Sequence, residues 1–187
     1  MPAVCVFCSS SLTIDARYLE LARSAGAAIA ARGWGLVSGA GSISMMGEVG
    51  RAARAGGGHT IGVIPDALVA MEVADHDSDE FIVTRDMRQR KGIMDERSDA
   101  FLALPGGIGT LEELVEVWTS RTLNMHHKPV VVLDPWGDYD HLHALLDHWV
   151  ERGFVRSGAV DHVHWATDID GALDEIARGW ATTPPPS

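Results

Sequence analysis

Short apolar runs alternate along the chain with longer segments whose apolar residues recur at helical spacing. The first run is Ala3 to Ser9, and a segment from about Asp15 to Ala31 follows, with Tyr18, Leu21, Ala22, Ala25 and Ile29 on one helical face. Gly33 closes it. A second strand, Trp34 to Ser38, leads through a Gly-rich turn into a helix near Met45 to Ala55, and Gly56 to Gly58 break the chain again. His59 to Ile64 reads as a third strand stopped by Pro65, and Asp75 to Glu80 as an exposed acidic loop. Phe81 to Thr84, Phe101 to Leu104 and Val130 to Leu133 read as further strands, with a short last one near His162 to Trp165. Helices are predicted over Met87 to Arg97, Leu111 to Leu123, Tyr139 to Arg152 and Ile169 to Arg178.

Strands that alternate with helices predict an α/β, Rossmann-like, doubly wound and mostly parallel sheet with helices on both faces. The pattern has no repeat and no internal boundary. It predicts a single nucleotide-binding domain over residues 1–181 and a disordered Pro-rich tail over 182–187. Sheets of this kind take ligands beyond the carboxyl ends of their strands. Two Gly-rich turns fall there, after the second and fifth strands.

Charge narrows the ligand. The 187 residues carry 15 basic and 26 acidic side chains, a net charge of −11, which argues against sequence-independent nucleic-acid binding. A single phosphate remains compatible, because a few arginines and a helix N-terminus suffice to hold one. No apolar run reaches the roughly 18 residues of a membrane span, and the first residues lack the pattern of a signal peptide, so a cytoplasmic location is expected. Cys5 and Cys8 are spaced as C-x-x-C but lie on a strand, which points them to opposite faces. They read as buried structural thiols rather than a redox or zinc pair.

The first turn, Ser38-Gly39-Ala40-Gly41-Ser42-Ile43-Ser44-Met45-Met46-Gly47, is not G-x-G-x-x-G. The second, Pro105-Gly106-Gly107-Ile108-Gly109-Thr110, is not a P-loop, since no Gly-Lys-Ser or Gly-Lys-Thr follows. Both still combine glycine, which lets backbone approach an anion, with a following helix that offers free amides. Gly39, Gly41 and Ser42 are candidate ligand contacts in the first turn, where a plain tight turn is an equally good reading. Gly107 to Thr110 are the stronger candidates. Glu113 has two readings: a cleft carboxylate, or the far end of a Thr110–Glu113 capping box with Thr110 as N-cap. A core stripe of Leu111, Leu114, Val115 and Trp118 would hold Glu113 at the cleft rim. Upstream, Arg85, Arg88, Arg90, Lys91 and Arg97 form a basic cluster suited to phosphate and sugar. Pairing with Asp95 and Glu96 on a solvated helix is the competing reading.

Pro105-Gly106-Gly107-Ile108-Gly109-Thr110-Leu111-Glu112-Glu113 matches P-G-G-x-G-T-x-x-E, with Arg90-Lys91 upstream. Ile61 to Pro65 and Ser98 to Phe101 add similar segments. These residues resemble the LONELY GUY family, the cytokinin riboside 5'-monophosphate phosphoribohydrolases, whose members are often mislabelled lysine decarboxylases. The resemblance runs from Val4 to about Ala172. It implies hydrolysis of N6-substituted AMP to free cytokinin base and ribose 5-phosphate, by a homodimer or larger assembly without metal or organic cofactor. It also implies Arg90 and Glu113 as the catalytic pair, with Glu72, Arg90, Lys91, Gly107, Ile108, Gly109, Thr110 and Thr119 contacting nucleotide. The chain departs from the family at Ala40, Ser44 and Met45, where many members read G-G-G-S-x-G-L-M-G, and at Arg88, which replaces a usual His.

An N-glycosidic cleavage builds positive charge on the sugar. Glu113 is the candidate to stabilise it and to orient water, with Arg90 holding nucleotide and carboxylate in register. Arg90 cannot donate the leaving-group proton, because it stays charged. A non-catalytic carrier of a nucleotide or of the molybdenum cofactor is the alternative. A decarboxylase would need pyridoxal phosphate on one of two lysines, Lys91 or Lys128. His126, His127, His141, His143, His148, His162 and His164 show no metal-ligand spacing, and no metal is expected. Apolar positions on Met87 to Met94 and Leu111 to Trp118 offer a face for subunit pairing.

Overall fold

The computed structural model describes residues 1–69 and 74–182. Seven strands form one sheet: β1 (Ala3–Phe7), β2 (Gly35–Ser38), β3 (Thr60–Pro65), β4 (Glu80–Thr84), β5 (Ala100–Ala103), β6 (Val130–Leu133) and β7 (Val163–Ala166). Their order is β4-β3-β2-β1-β5-β6-β7, and every neighbouring pair is parallel. β1, β2, β3, β5 and β6 are buried along their whole length, as their unbroken apolar runs require when both faces are covered. The doubly wound reading therefore holds.

The helices are α1 (Ala16–Ala31), α2 (Ser44–Ala55), α3 (Asp66–Val69), α4 (Met87–Glu96), α5 (Ile108–Thr122), α6 (Asp140–Glu151), α7 (Ser157–Val160) and α8 (Ile169–Thr182). The one-turn helices α3 and α7 were too short to leave a periodic signal. Strand alternation divides the core in two. Val4, Val6, Cys8 and Leu102 pack with residues of α1, α2 and α8. Cys5, Phe7, Phe101 and Ala103 pack on the opposite face with Met94, Leu114, Trp118 and Leu146 of α4, α5 and α6. Cys5 and Cys8 thus lie on opposite faces, both buried and unbridged, as the strand period predicts.

Two local caps show how sequence sets these elements. The Asp15 carboxylate accepts the Arg17 amide at 2.9 Å and starts α1; the Asp86 carboxylate accepts the Gln89 amide at 2.8 Å and starts α4. α1 and α2 cross closely at Gly26, where a Cβ would come within 2.3 Å of the Val49 carbonyl oxygen.

The acidic stretch Asp75 to Glu80 is only in part the exposed loop expected: His76, Asp77 and Asp79 are exposed, but Asp75 is not. Asp75 is buried and holds Arg54 through two hydrogen bonds of 2.9 and 3.0 Å. Asp79 accepts both the amide and the hydroxyl of Thr60 at 2.8 Å, and these bonds hold its carboxyl below the usual range. Glu80 opens β4 and pairs with Arg97 and His59. The carboxylates of Asp75, Asp79 and Glu80 tie this stretch to α2, β3 and Arg97, a role that a run of acidic letters does not reveal.

From β1 the chain winds outward to β4, then returns to β5 on the other side of β1. The switch point lies between the carboxyl ends of β1 and β5, and parallel sheets carry their ligand crevices there.

Candidate active site

Three loops meet at the switch point: Cys8 to Ser11 after β1, the first Gly-rich turn after β2, and Leu104 to Gly107 after β5. They border a cleft of about 370 Å³ whose lining includes Cys8, Ser9, Ser11, Met46, Arg90, Gly107, Ile108, Gly109, Thr110 and Glu113.

The second Gly-rich turn differs from its sequence reading in one respect. Gly107, not Thr110, is the N-cap of α5, and the helix begins at Ile108. The first intrahelical bond runs from the Leu111 amide to the Gly107 carbonyl at 3.0 Å. Ile108, Gly109 and Thr110 therefore supply first-turn amides without helical acceptors. Thr110 is only 4% exposed and packs under the turn, where a Cβ on Gly106 would meet its hydroxyl at 2.1 Å. The capping-box reading is thereby corrected: Gly107 takes the N-cap position, and the Thr-x-x-Glu letters sit inside the helix. Gly107 and Gly109 are different again. Neither has a positive φ, and a Cβ on either would meet nothing within 4 Å. No protein contact demands glycine at these two positions, and both line the cleft. From below, the turn is braced by the Tyr139 hydroxyl, which donates to the Leu104 carbonyl at 2.9 Å. Burial pushes that phenol well above its ordinary pKa, so the donor stays protonated.

Arg90 is 5% exposed. Its Nε donates to the Val63 carbonyl at 3.1 Å and its Nη2 to the Gly39 carbonyl at 3.1 Å. It stands just past the carboxyl end of β2 and beside β3, and it lines the cleft. Gly39 is glycine because the guanidinium lies against it; a Cβ there would fall 1.8 Å from Nη2. Gly41 and Ser42 serve the scaffold too. Gly41 bridges to Ala74, and the Ser42 carbonyl accepts from Arg51 at 2.9 Å. Ala40 and Ser44, two of the departures, both have left-handed backbones, φ 56° and 54°. The Ser44 hydroxyl donates to the Ser11 carbonyl and ties this turn to the loop after β1.

Glu113 borders the cleft and a second hollow of about 80 Å³ beneath it, lined by Phe7, Met94, Phe101 and His126 among others. Burial raises the Cys5 thiol; the Glu113 charge raises it further and the Arg90 charge opposes it, so both ions are close to this strand. Burial also raises Cys8, again helped by Glu113. Neither thiol is a nucleophile at neutral pH.

The remaining candidates separate. Lys91, next to Arg90 on α4, points to the other side and pairs with Glu112 and Glu116. Burial works against its charge, but the two carboxylates outweigh it and raise its pKa. Lys91 and Thr119 share a shallow cleft of about 570 Å³ with Leu111 and Val115, joined to the first cleft only along Ile108 and Glu112. Arg85 pairs with Asp86 and Arg97 with Glu80, while Arg88 is exposed, so Arg90 is the one member of the basic cluster in the cleft. Glu72 lies outside the described residues. Among the described residues no group of three or more His, Cys, Asp or Glu side chains is placed to hold a metal. The sequence reading missed Ser9 to Ser11; their signal was position alone, at the end of the central strand.

This architecture is that of the Rossmann-like α/β proteins that work at the switch point of a parallel sheet. Residues 46–176 match the family described as "Possible lysine decarboxylase". Cytokinin riboside 5'-monophosphate phosphoribohydrolases of Mycobacterium marinum and Mycobacterium tuberculosis are 51% and 52% identical over 176 and 174 residues, which is 94% and 93% of this chain and 94% and 92% of theirs. The chain belongs to this family, the LONELY GUY family, as its P-G-G-x-G-T-x-x-E segment suggests. A solved structure of the molybdenum cofactor carrier protein from Chlamydomonas reinhardtii shares the fold at a TM-score of 0.74 and 26% identity, over 97% of this chain and 99% of that one.

Proposed function

We propose that the chain hydrolyses the N-glycosidic bond of adenosine 5'-monophosphates, N6-substituted ones such as N6-isopentenyl-AMP included, releasing the free base and ribose 5-phosphate. The observation that carries this reading is one cleft holding the free α5 amides, the buried Arg90 and Glu113, in a chain half identical to proteins named for that reaction.

The phosphate docks on the amides of Ile108 to Thr110, with Gly107 and Gly109 leaving room for it. Arg90, held by the carbonyls of Gly39 and Val63, offers its charge to the nucleotide from a fixed position. Glu113 faces the sugar, stabilises the cation that develops as the bond to the base breaks, and aligns the attacking water. Water delivers hydroxide to the anomeric carbon, and its proton ends on the base. Phosphate anchoring contributes orientation, which favours monophosphates over nucleosides.

Neither lysine suits a pyridoxal phosphate decarboxylase, despite the family description. Lys91 is held charged by two carboxylates, and Lys128 is tied to Asp95 by an ion pair of 2.7 Å. No step through that cofactor is derived.

Lys91 and Thr119 join the site if α4 and α5 pair with a second copy, giving a homodimer. Leu114 and Trp118 are buried, as the core stripe predicts, whereas Val115 of that stripe is exposed; Met94 of α4 is buried too, and Ile108, Val115 and Met87 remain exposed. Light scattering of a monomer would remove this part of the reading. The cytoplasm is assigned from the sequence reading; no described helix is long and apolar enough to cross a membrane.

The test is incubation with AMP and N6-isopentenyl-AMP, with chromatography of free base and ribose 5-phosphate. Wild type releases base, and Glu113→Gln lowers the rate roughly 10²–10⁴-fold. Folded protein that binds the nucleotide but releases no base is a carrier instead.

A further inference from the structure

The turn at Pro105–Gly107 is a partition with a cleft on each side. Beyond it from Arg90 and Glu113 lies a second cleft of about 340 Å³, lined by Ser9, Ser11, Tyr18, Met45, Gly106, Gly107 and Asp138 among others. Ser9, Ser11 and Gly107 belong to both clefts. Asp138 is the one charged side chain in the lining of the second.

Asp138 is held in place. Its amide donates to the Asp134 carboxylate at 2.8 Å, and its carboxylate accepts the Tyr18 hydroxyl at 2.7 Å. Arg17 donates to the same hydroxyl at 2.8 Å, but its guanidinium stacks on the Tyr18 and Trp136 rings, 4.8 and 4.6 Å from their centroids, outside the cleft lining. The cation supports the aromatic wall and also acts on the Asp138 charge from outside the cleft, while Asp138 itself is exposed and lines it.

We infer that Asp138 is a specificity-determining residue that restricts the site to monophosphates by opposing any further phosphate. The inference rests on the proposed docking of a phosphate at Gly107–Thr110. From there, a second phosphate directed into the first cleft meets Glu112 and Glu113. The other way leads past Gly107 to the hydroxyls of Ser9 and Ser11, which would welcome an anion, and ends on Asp138. A monophosphate stops short of that carboxylate; a diphosphate brings like charges together.

The test is calorimetric titration of AMP and of ADP into the whole protein at one low salt concentration, for wild type, Asp138→Asn and Tyr18→Phe, each carrying Glu113→Gln so that AMP is not consumed during the titration. Wild type favours AMP by roughly tenfold or more, and Asp138→Asn narrows that ratio at least about fivefold. Tyr18→Phe removes the hydrogen bond but leaves the charge, and keeps the ratio. Equal wild-type affinities for AMP and ADP overturn the inference. So does an Asp138→Asn ratio like wild type, or a Tyr18→Phe ratio that collapses equally, which would make the wall rather than the charge responsible. Wild type that prefers AMP yet releases no base defeats the hydrolase reading and leaves this one standing.

Discussion

The two glycine-rich turns look alike as strings of letters and are opposites as structures. In the first, glycine is spent inside the protein: Gly39 yields its Cβ space to the Arg90 guanidinium, and Gly41 lies against Met46. In the second, Gly106 yields to Thr110, but Gly107 and Gly109 face open cleft. One turn shapes the floor of the site and the other offers backbone to a ligand. Glycine by itself does not say which, because either use requires only a missing side chain.

Methyl groups added to each turn break the comparison cleanly. Gly39→Ala pushes against a buried, doubly hydrogen-bonded cation, so both folding and catalysis suffer. A loss of about 1–3 kcal/mol in denaturant titration and a fall in base release of roughly a hundredfold are expected. Gly107→Ala meets no protein atom, so the denaturation midpoint stays where it is, while the KM for monophosphate rises roughly tenfold as the methyl crowds the docked anion. A destabilised Gly107→Ala protein with normal KM would mean that this glycine also serves the fold. The smallest effect concerns Ala40, at φ 56°. Ala40→Gly relieves a left-handed alanine but loosens the unfolded chain and removes a buried methyl packed with Ile64 and Ala74. The net change stays within about 0.5 kcal/mol in thermal or chemical unfolding, with turnover unchanged because Ala40 does not line the cleft.

The same contrast explains what could be read in advance. Element order, the parallel sheet and the two-faced core followed from hydrophobic period, since packing in this chain obeys it throughout. Glu113 and Gly107 to Thr110 belong to one contiguous motif and Arg90 lies upstream of it; the structure gathers them in one cleft. The start of α5 was misplaced because Thr-x-x-Glu is a local pattern, whereas burial of Thr110 beneath Gly106 is a tertiary event. Asp75 was misread for the same reason: its partner, Arg54, is distant in sequence and lies on another element. The separation of Lys91 from Arg90 follows from helical rotation between neighbouring residues, which the paired letters conceal. Ser9 to Ser11 and Asp138 had no motif at all; only strand order places them beside the turn.

That strand order also sets a schedule. The central pair of the sheet, β1 and β5, is joined by contacts such as Ala3 to Asp99, 96 residues apart. On a ribosome the N-terminal strand emerges early and can recruit β2 and β3 from its own half, but its other edge must wait for β5. The ligand crevice opens between those two strands, so it is a late product of synthesis. A nascent chain stopped before β5 would hold Arg90 without the turn it serves, and would present β1 as an unpaired, wholly apolar edge to whatever chaperone meets it first.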